Sequence, residues 1–224
     1  MARHLNLEEQ EQLAQIKGFW EQNGRFIILL VTVLVLTIGG WFGWQYWQNK
    51  QAMSASVLYD QFQQAVTANN TAKAREVVTQ IQTQYGSTSY ASLAALQGAT
   101  AFYNAGELDA AKQALAWLVD NGKEPGWKAI AVLRLADILT DQKNYDEALK
   151  VLSVQVPDTF KPMVADKRGN VYVGQGKPDE AKNAYMSAYQ DPALPASMRE
   201  LVYGKLNLLG VDISTLTLNG EQRT

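Results

Sequence analysis

Cysteine is absent from the 224 residues, and histidine occurs once, at His4. The first absence excludes a disulfide framework, a thiolate metal site and a cysteine nucleophile. The second excludes a histidine-based triad or a multi-histidine metal site built from this chain alone. An excess of one charge is missing too: 20 Lys and Arg stand against 22 Asp and Glu, a net charge of −2. That balance offers no electrostatic reason to expect nucleic acid as a partner. Proline does not occur before Pro125, and Pro125, Pro157, Pro162, Pro178, Pro192 and Pro195 each fall at the boundary of a predicted helix, as expected of a residue poorly tolerated inside helices. Alternating strand patterns are also lacking. These exclusions point away from an enzyme, while a 47% hydrophobic content argues against general disorder.

What is present begins with an apolar run. From Phe26 to Asn49, 24 consecutive residues carry no formal charge, bracketed by Arg25 and Lys50. Residues 26–47 as a helix would cover about 33 Å, enough for a hydrocarbon core of about 30 Å. Trp41, Phe42, Trp44, Tyr46 and Trp47 collect at one end, where rings with an apolar body and a polar edge suit the headgroup boundary. A cleaved signal peptide fits less well. The leading segment holds Glu8, Glu9, Glu11 and Glu21, and the run exceeds the roughly 7–15 residues of a signal core. The reading is an uncleaved anchor in a lipid bilayer. Arg3, Lys17 and Arg25 precede it and Lys50 alone follows closely, which favours a cytoplasmic N-terminus and a C-terminal bulk outside. Gly39, Gly40 and Gly43, with Trp44 and Trp47, are the candidate contacts to other membrane helices.

Before the span, residues 6–22 pattern as an amphipathic helix. Asn6 can cap it with Glu9 at the third position, Leu13, Ile16 and Trp20 share a face, and Asn23-Gly24 supplies a stop. Such a helix either docks a partner or rests on the membrane surface.

After the span the chain repeats itself. Asn104–Ala111, Asp141–Ala148 and Gly174–Ala181 correspond, with Ala111, Ala148 and Ala181 spaced by 37 and 33 residues and a weaker copy at Ala74. Periods of this size signal a helical solenoid. Twelve residues before each alanine stands a small residue, Ala99, Ala136 or Gly169, followed three later by Phe102, Leu139 or Tyr172. Four after the alanine stands Leu115, Leu152 or Tyr185. Small-to-large packing between antiparallel helices is the pattern of tetratricopeptide repeats, here without the signature tryptophan and Leu-Gly pair. Helices are predicted near 50–68, 71–84, 88–104, 107–121, 126–141, 145–155, 160–174, 178–190 and 194–209. The membrane helix either runs straight into the array or bends near Gln48–Gln51. The expected fold is therefore all-α, a single N-terminal transmembrane helix followed by a tetratricopeptide-repeat-like helical solenoid. Its domains are an N-terminal tail (1–24), a span (25–47), a repeat domain (48–210) and a frayed polar tail (211–224).

Candidates for catalysis dissolve on inspection. Glu107/Asp109, Asp146/Glu147 and Asp179/Glu180 each occupy the first turn of a predicted helix, where negative charge complements the dipole. Gly169–Pro178 superficially suggests a phosphate loop, but Lys177 is followed by Pro178, the glycine spacing is wrong and no strand precedes it. Trp117 and Trp127 read as packing residues. No catalytic, cofactor or metal residue is assigned. Binding remains, and repeat geometry places it on the concave face formed by the first helices of successive pairs. Outward positions there are Leu93, Thr100 and Tyr103, then Ile130, Leu133 and Asp137, then Met163, Asp166 and Asn170. The apolar members either receive a segment of another protein or pack within the array.

Three stretches carry a family resemblance: Lys17–Gly24, the run ending Gly43-Trp44-Gln45-Tyr46-Trp47, and Val164-Ala165-Asp166-Lys167-Arg168-Gly169. Together they resemble the YfgM family of ancillary subunits of the bacterial Sec translocon, over about residues 8–209. The resemblance implies an inner-membrane protein with a periplasmic repeat domain, associated with the SecYEG channel and with a PpiD-like membrane-anchored chaperone. It implies a non-catalytic adaptor that passes newly translocated proteins toward periplasmic chaperones, with a possible link from the cytoplasmic tail to a stress-response regulator. The alternative on the residues alone is a scaffold subunit of another cell-envelope assembly.

Overall fold

The structure, a computed structural model, describes residues 7–211, with side chains from Glu11 onward. The expected cap at Asn6 and the expected fraying of 212–224 lie outside these residues. Two units divide the chain, Met1–Gln51 and Ala52–Thr224.

The first unit is helical wherever it is described, being the greater part of α1 (Leu7–Thr67). Asn23-Gly24 does not stop the helix as expected. Asn23 Nδ2 donates to the Phe19 carbonyl at 3.2 Å, and Trp20 lies against Gly24, where a Cβ would stand 3.3 Å from its Nε1. The amide that should have capped an end folds back on the preceding turn instead, and the indole covers the glycine backbone. Residues 48–51 are also helical. α1 contains a stretch long and apolar enough to cross a membrane, and Leu29, Leu34 and Ile38 within it are exposed. Thr32 and Thr37 donate to the Ile28 and Val33 carbonyls at 2.8 Å. Both hydroxyls are thus satisfied inside the helix, as hydrocarbon requires.

The second unit is a stack of antiparallel helix pairs. The end of α1 is followed by α2 (Thr71–Tyr85), α3 (Ser89–Asn104), α4 (Leu108–Asn121), α5 (Pro125–Asp141), α6 (Tyr145–Val151), α7 (Lys161–Gly174), α8 (Pro178–Gln190) and α9 (Ala196–Leu208). Within each pair the turn is the same. Asn69, Gly106, Lys143 and Gly176, each five residues before the repeat alanine, have positive φ of 52°, 79°, 60° and 70°. The next amide reaches back to the first helix at 2.8–2.9 Å, from Asn70 to Ala65, Glu107 to Phe102, Asn144 to Leu139 and Lys177 to Tyr172. A left-handed residue with this six-to-one bond is the standard way to satisfy a helix end and reverse the chain. Gly210, with φ 75°, repeats it after α9.

The packing register follows the small-to-large pattern except at Tyr172, which is only half-buried. Ala74, Ala111, Ala148 and Ala181 are fully buried, and Phe102, Leu139, Leu115, Leu152 and Tyr185 are buried against them. At Gly169 a Cβ would lie 2.3 Å from Tyr185 Cε1, so only glycine leaves room for that ring. One expected helix is shorter: α6 ends at Val151 rather than 155. Ser153 Oγ caps the Lys150 carbonyl at 2.6 Å, and Pro157 keeps the residue before it out of the helical region. Leu152 is buried all the same. Two hydrophobic cores result among the described residues. The larger runs from Tyr59 and Phe62 through Val164 and Val171. The smaller comprises Ala181, Tyr185, Ala188, Leu194, Val202 and Leu206.

Candidate functional site

First helices of successive pairs, the end of α1, then α3, α5, α7 and α9, carry the expected concave positions. Two adjacent cavities open among the first three. One of about 470 Å³ is lined by Thr100, Tyr103, Leu115, Arg134, Asp137, Ile138 and Asp141. The other, of about 530 Å³, is lined by Phe62, Val66, Leu93, Leu96, Gln97, Thr100 and Arg134, among others. Thr100 and Arg134 belong to both, so the two form one groove with a polar pair in its middle.

The sequence-predicted residues divide by place. Leu93, Thr100, Tyr103 and Asp137 line the groove, and Tyr103 is 47% exposed. Leu133 is half-buried against the larger core, and Ile130 and Met163 are half-buried without lining either cavity. Asp166 is not on an open surface as expected, and Asn170 is half-buried with its amide oxygen engaged. Asp166 is 4% exposed, and its carboxylate accepts from Lys205 Nζ at 2.6 Å. Asn170 Oδ1 accepts from the same ammonium and from the Tyr185 hydroxyl, both at 2.9 Å. The physical reason is α9, which brings a lysine onto α7 that the repeat pattern did not include. Burial, then the Asp166 carboxylate, pushes the Tyr185 hydroxyl up to about 12.

Along this face a polar ladder joins neighbouring first helices. Arg134 of α5 donates to Thr100 Oγ1 of α3 at 3.0 Å. Lys167 of α7 donates to Asp137 of α5 at 2.7 Å, and Lys205 of α9 reaches Asn170 and Asp166 of α7. Thr100, Asp137 and Asn170 are equivalent positions of the repeat, 37 and 33 residues apart. Arg134 escaped the sequence reading. It sits four residues after Ile130 and three before Asp137, so helical spacing alone could have found it.

The acids proposed and dismissed as catalytic pairs are helix-start residues in the structure. Glu107 precedes α4 and accepts from Thr71 Oγ1 at 2.8 Å and from Arg75, tying α2 to the next pair. The Thr71 hydroxyl, with Arg75, holds its carboxyl below the usual range. Among the described residues no group of three His, Cys, Asp or Glu could hold a metal. On the membrane helix, a Cβ at Gly39, Gly40 or Gly43 would meet nothing within 4 Å. Trp44 and Trp47 are exposed, with Trp44 5.9 Å from Trp41 between ring centroids.

Comparison with known proteins agrees with this architecture. The model of a tetratricopeptide repeat-like domain family matches residues 17–211. A Neisseria gonorrhoeae protein named ancillary SecYEG translocon subunit is 32% identical over 213 residues, 93% of this chain and 100% of that protein. Proteins of the same name from Escherichia coli and Haemophilus influenzae are 30% and 29% identical, covering 91% and 83% of this chain and 97% and 90% of theirs.

Proposed function

Because this chain belongs to the tetratricopeptide repeat-like family of ancillary SecYEG translocon subunits, we propose that it is a membrane-anchored adaptor that docks at SecYEG and holds a chaperone beside it. In this reading residues 1–24 are cytoplasmic, residues 25–47 cross the inner membrane, and residues 48–210 are periplasmic. The span meets other membrane helices through Gly39, Gly40 and Gly43, whose bare backbone permits close approach. The repeat domain binds a PpiD-like membrane-anchored chaperone and helps pass newly translocated proteins to the periplasmic chaperone network. The N-terminal tail is the part available to a cytoplasmic stress-response regulator. No chemistry is required of the chain.

The observation that carries the reading is the half-apolar groove on the first-helix face, with Tyr103 exposed at its margin. Grooves of this kind receive segments of other proteins by burying apolar side chains between fixed polar groups. Photoreactive residues at Tyr103 and Ile130 in the membrane-embedded protein are expected to crosslink to a periplasmic chaperone. Absence of any adduct, with the fold intact, would remove the adaptor role. Protease treatment of intact spheroplasts is expected to digest residues 48–210 and spare the N-terminal tail; protection of the repeats would reverse the topology.

A further inference from the structure

The ladder on the concave face is unequal. At its second rung the Lys167 ammonium meets the Asp137 carboxylate at 2.7 Å. At its third, Lys205 meets Asp166 at 2.6 Å. At the first, Arg134 meets only the neutral hydroxyl of Thr100, with a longer approach of 3.5 Å to the Leu96 carbonyl. Among the described residues no carboxylate pairs with Arg134. Its guanidinium offers five donors in a planar fork, so most of them remain open. Asp137, three residues on, is committed to Lys167, and among the described residues Asp141, which lines the smaller cavity, forms no ion pair.

Arg134 also stands between two compartments with apolar walls, the smaller of which carries Asp137 and Asp141 as well. Phe62, Val66, Leu93 and Leu96 lie on one side, Leu115 and Ile138 on the other. A chain terminus would fill one side and leave the other empty. We propose that the groove takes an internal segment of a protein partner in which an acidic side chain, flanked on both sides by apolar residues, pairs with Arg134 and completes the missing rung. The proposal rests on the reading of this groove as the partner surface, and it adds the chemistry of the partner. Charge-assisted, bidentate pairing in a partly desolvated groove gives register as well as affinity.

The test uses the full-length protein in its membrane, with a photoreactive residue at Gln97, which lines the larger cavity. The crosslinked partner segment is mapped by mass spectrometry. The variant Thr100→Asp supplies the absent carboxylate from within the chain and leaves Arg134 in place, while Arg134→Glu reverses the charge. Each is expected to lower crosslink yield by about tenfold or more, the scale of one lost charged hydrogen bond. Thermal melting is expected to show both variants folded, and Thr100→Asp no less stable than the parent. Changing the mapped acid to Lys is expected to restore the yield with Arg134→Glu. Yields unchanged in both variants, or a mapped segment without an acid, would overturn the proposal while leaving the groove as a partner surface. No adduct from Gln97 or from Tyr103 would instead remove the partner surface itself.

Discussion

The two hydrophobic cores of the repeat domain are built on one pattern and closed by different means. The larger, from Tyr59 to Val171, is mainly hydrocarbon, with Ile81, Phe102, Leu115, Leu118 and Leu139 filling it. The smaller, around Tyr185 and Leu206, is sealed by charge. Lys205 links Asp166 and Asn170 and lies 5.2 Å from the centre of the Tyr185 ring. Arg199 donates to the backbone carbonyls of Tyr189, Asp191 and Leu194. In a linear stack each pair is stabilised mainly by its neighbours, so a terminal pair has less apolar surface to bury. The terminal pair substitutes directed polar bonds for area. Such bonds hold firmly when complete and fail sharply when one partner is removed.

The largest effect expected from breaking this contrast is Lys205→Met. It strands the buried Asp166 carboxylate and should cost about 3 kcal/mol, with α8 and α9 losing hydrogen-exchange protection before α3–α5. The double variant Asp166→Asn with Lys205→Met should recover most of that loss in the same measurement. Next comes Gly169→Ala, whose new Cβ would collide with the Tyr185 ring. A loss of about 2 kcal/mol in denaturant unfolding is expected, relieved by Tyr185→Leu. Third is pH. The Tyr185 hydroxyl titrates near 12 in the fold and near 10 when unfolded. The unfolded chain releases its proton first, so this contribution is complete below pH 10 and disappears as pH rises to 12. Melting at pH 9 and pH 11 should differ more for the parent than for Tyr185→Phe. The smallest effect lies in the turns. Lys143→Gly should stabilise the larger core's turn by about 1 kcal/mol, and Gly176→Lys should weaken the turn before α8 by a similar amount. Equal responses of the two turns would show that turn strain does not depend on which core it serves.

Much of this fold is legible in the letters because its determinants recur. The alanines at 74, 111, 148 and 181 are buried at every copy, and large partners stand at a fixed offset from the last three. The left-handed turn at Lys143 is equally periodic, though lysine does not announce it. What escaped reading is set by single events. Asn23-Gly24 has the composition of a helix stop, yet a tryptophan one turn earlier covers it. Lys205 pairs with a residue 39 positions away, and no period points to it. At the candidate site, Thr100, Tyr103 and Asp137 were legible from helical spacing. Arg134 shares that spacing, but its neutral partner Thr100 is a contact between helices that no period announces.

Within the Val164–Gly169 motif, Asp166, Lys167, Arg168 and Gly169 each meet a different part of the stack. Asp166 faces α9 and Lys167 faces α5. Arg168 donates to the Leu152 carbonyl at 2.9 Å, and Gly169 admits the Tyr185 ring of α8. Successive residues of a helix point about 100° apart, so one turn can grip on all sides. α7 therefore acts as a keystone: any bending of the superhelix at that point would have to release four grips together.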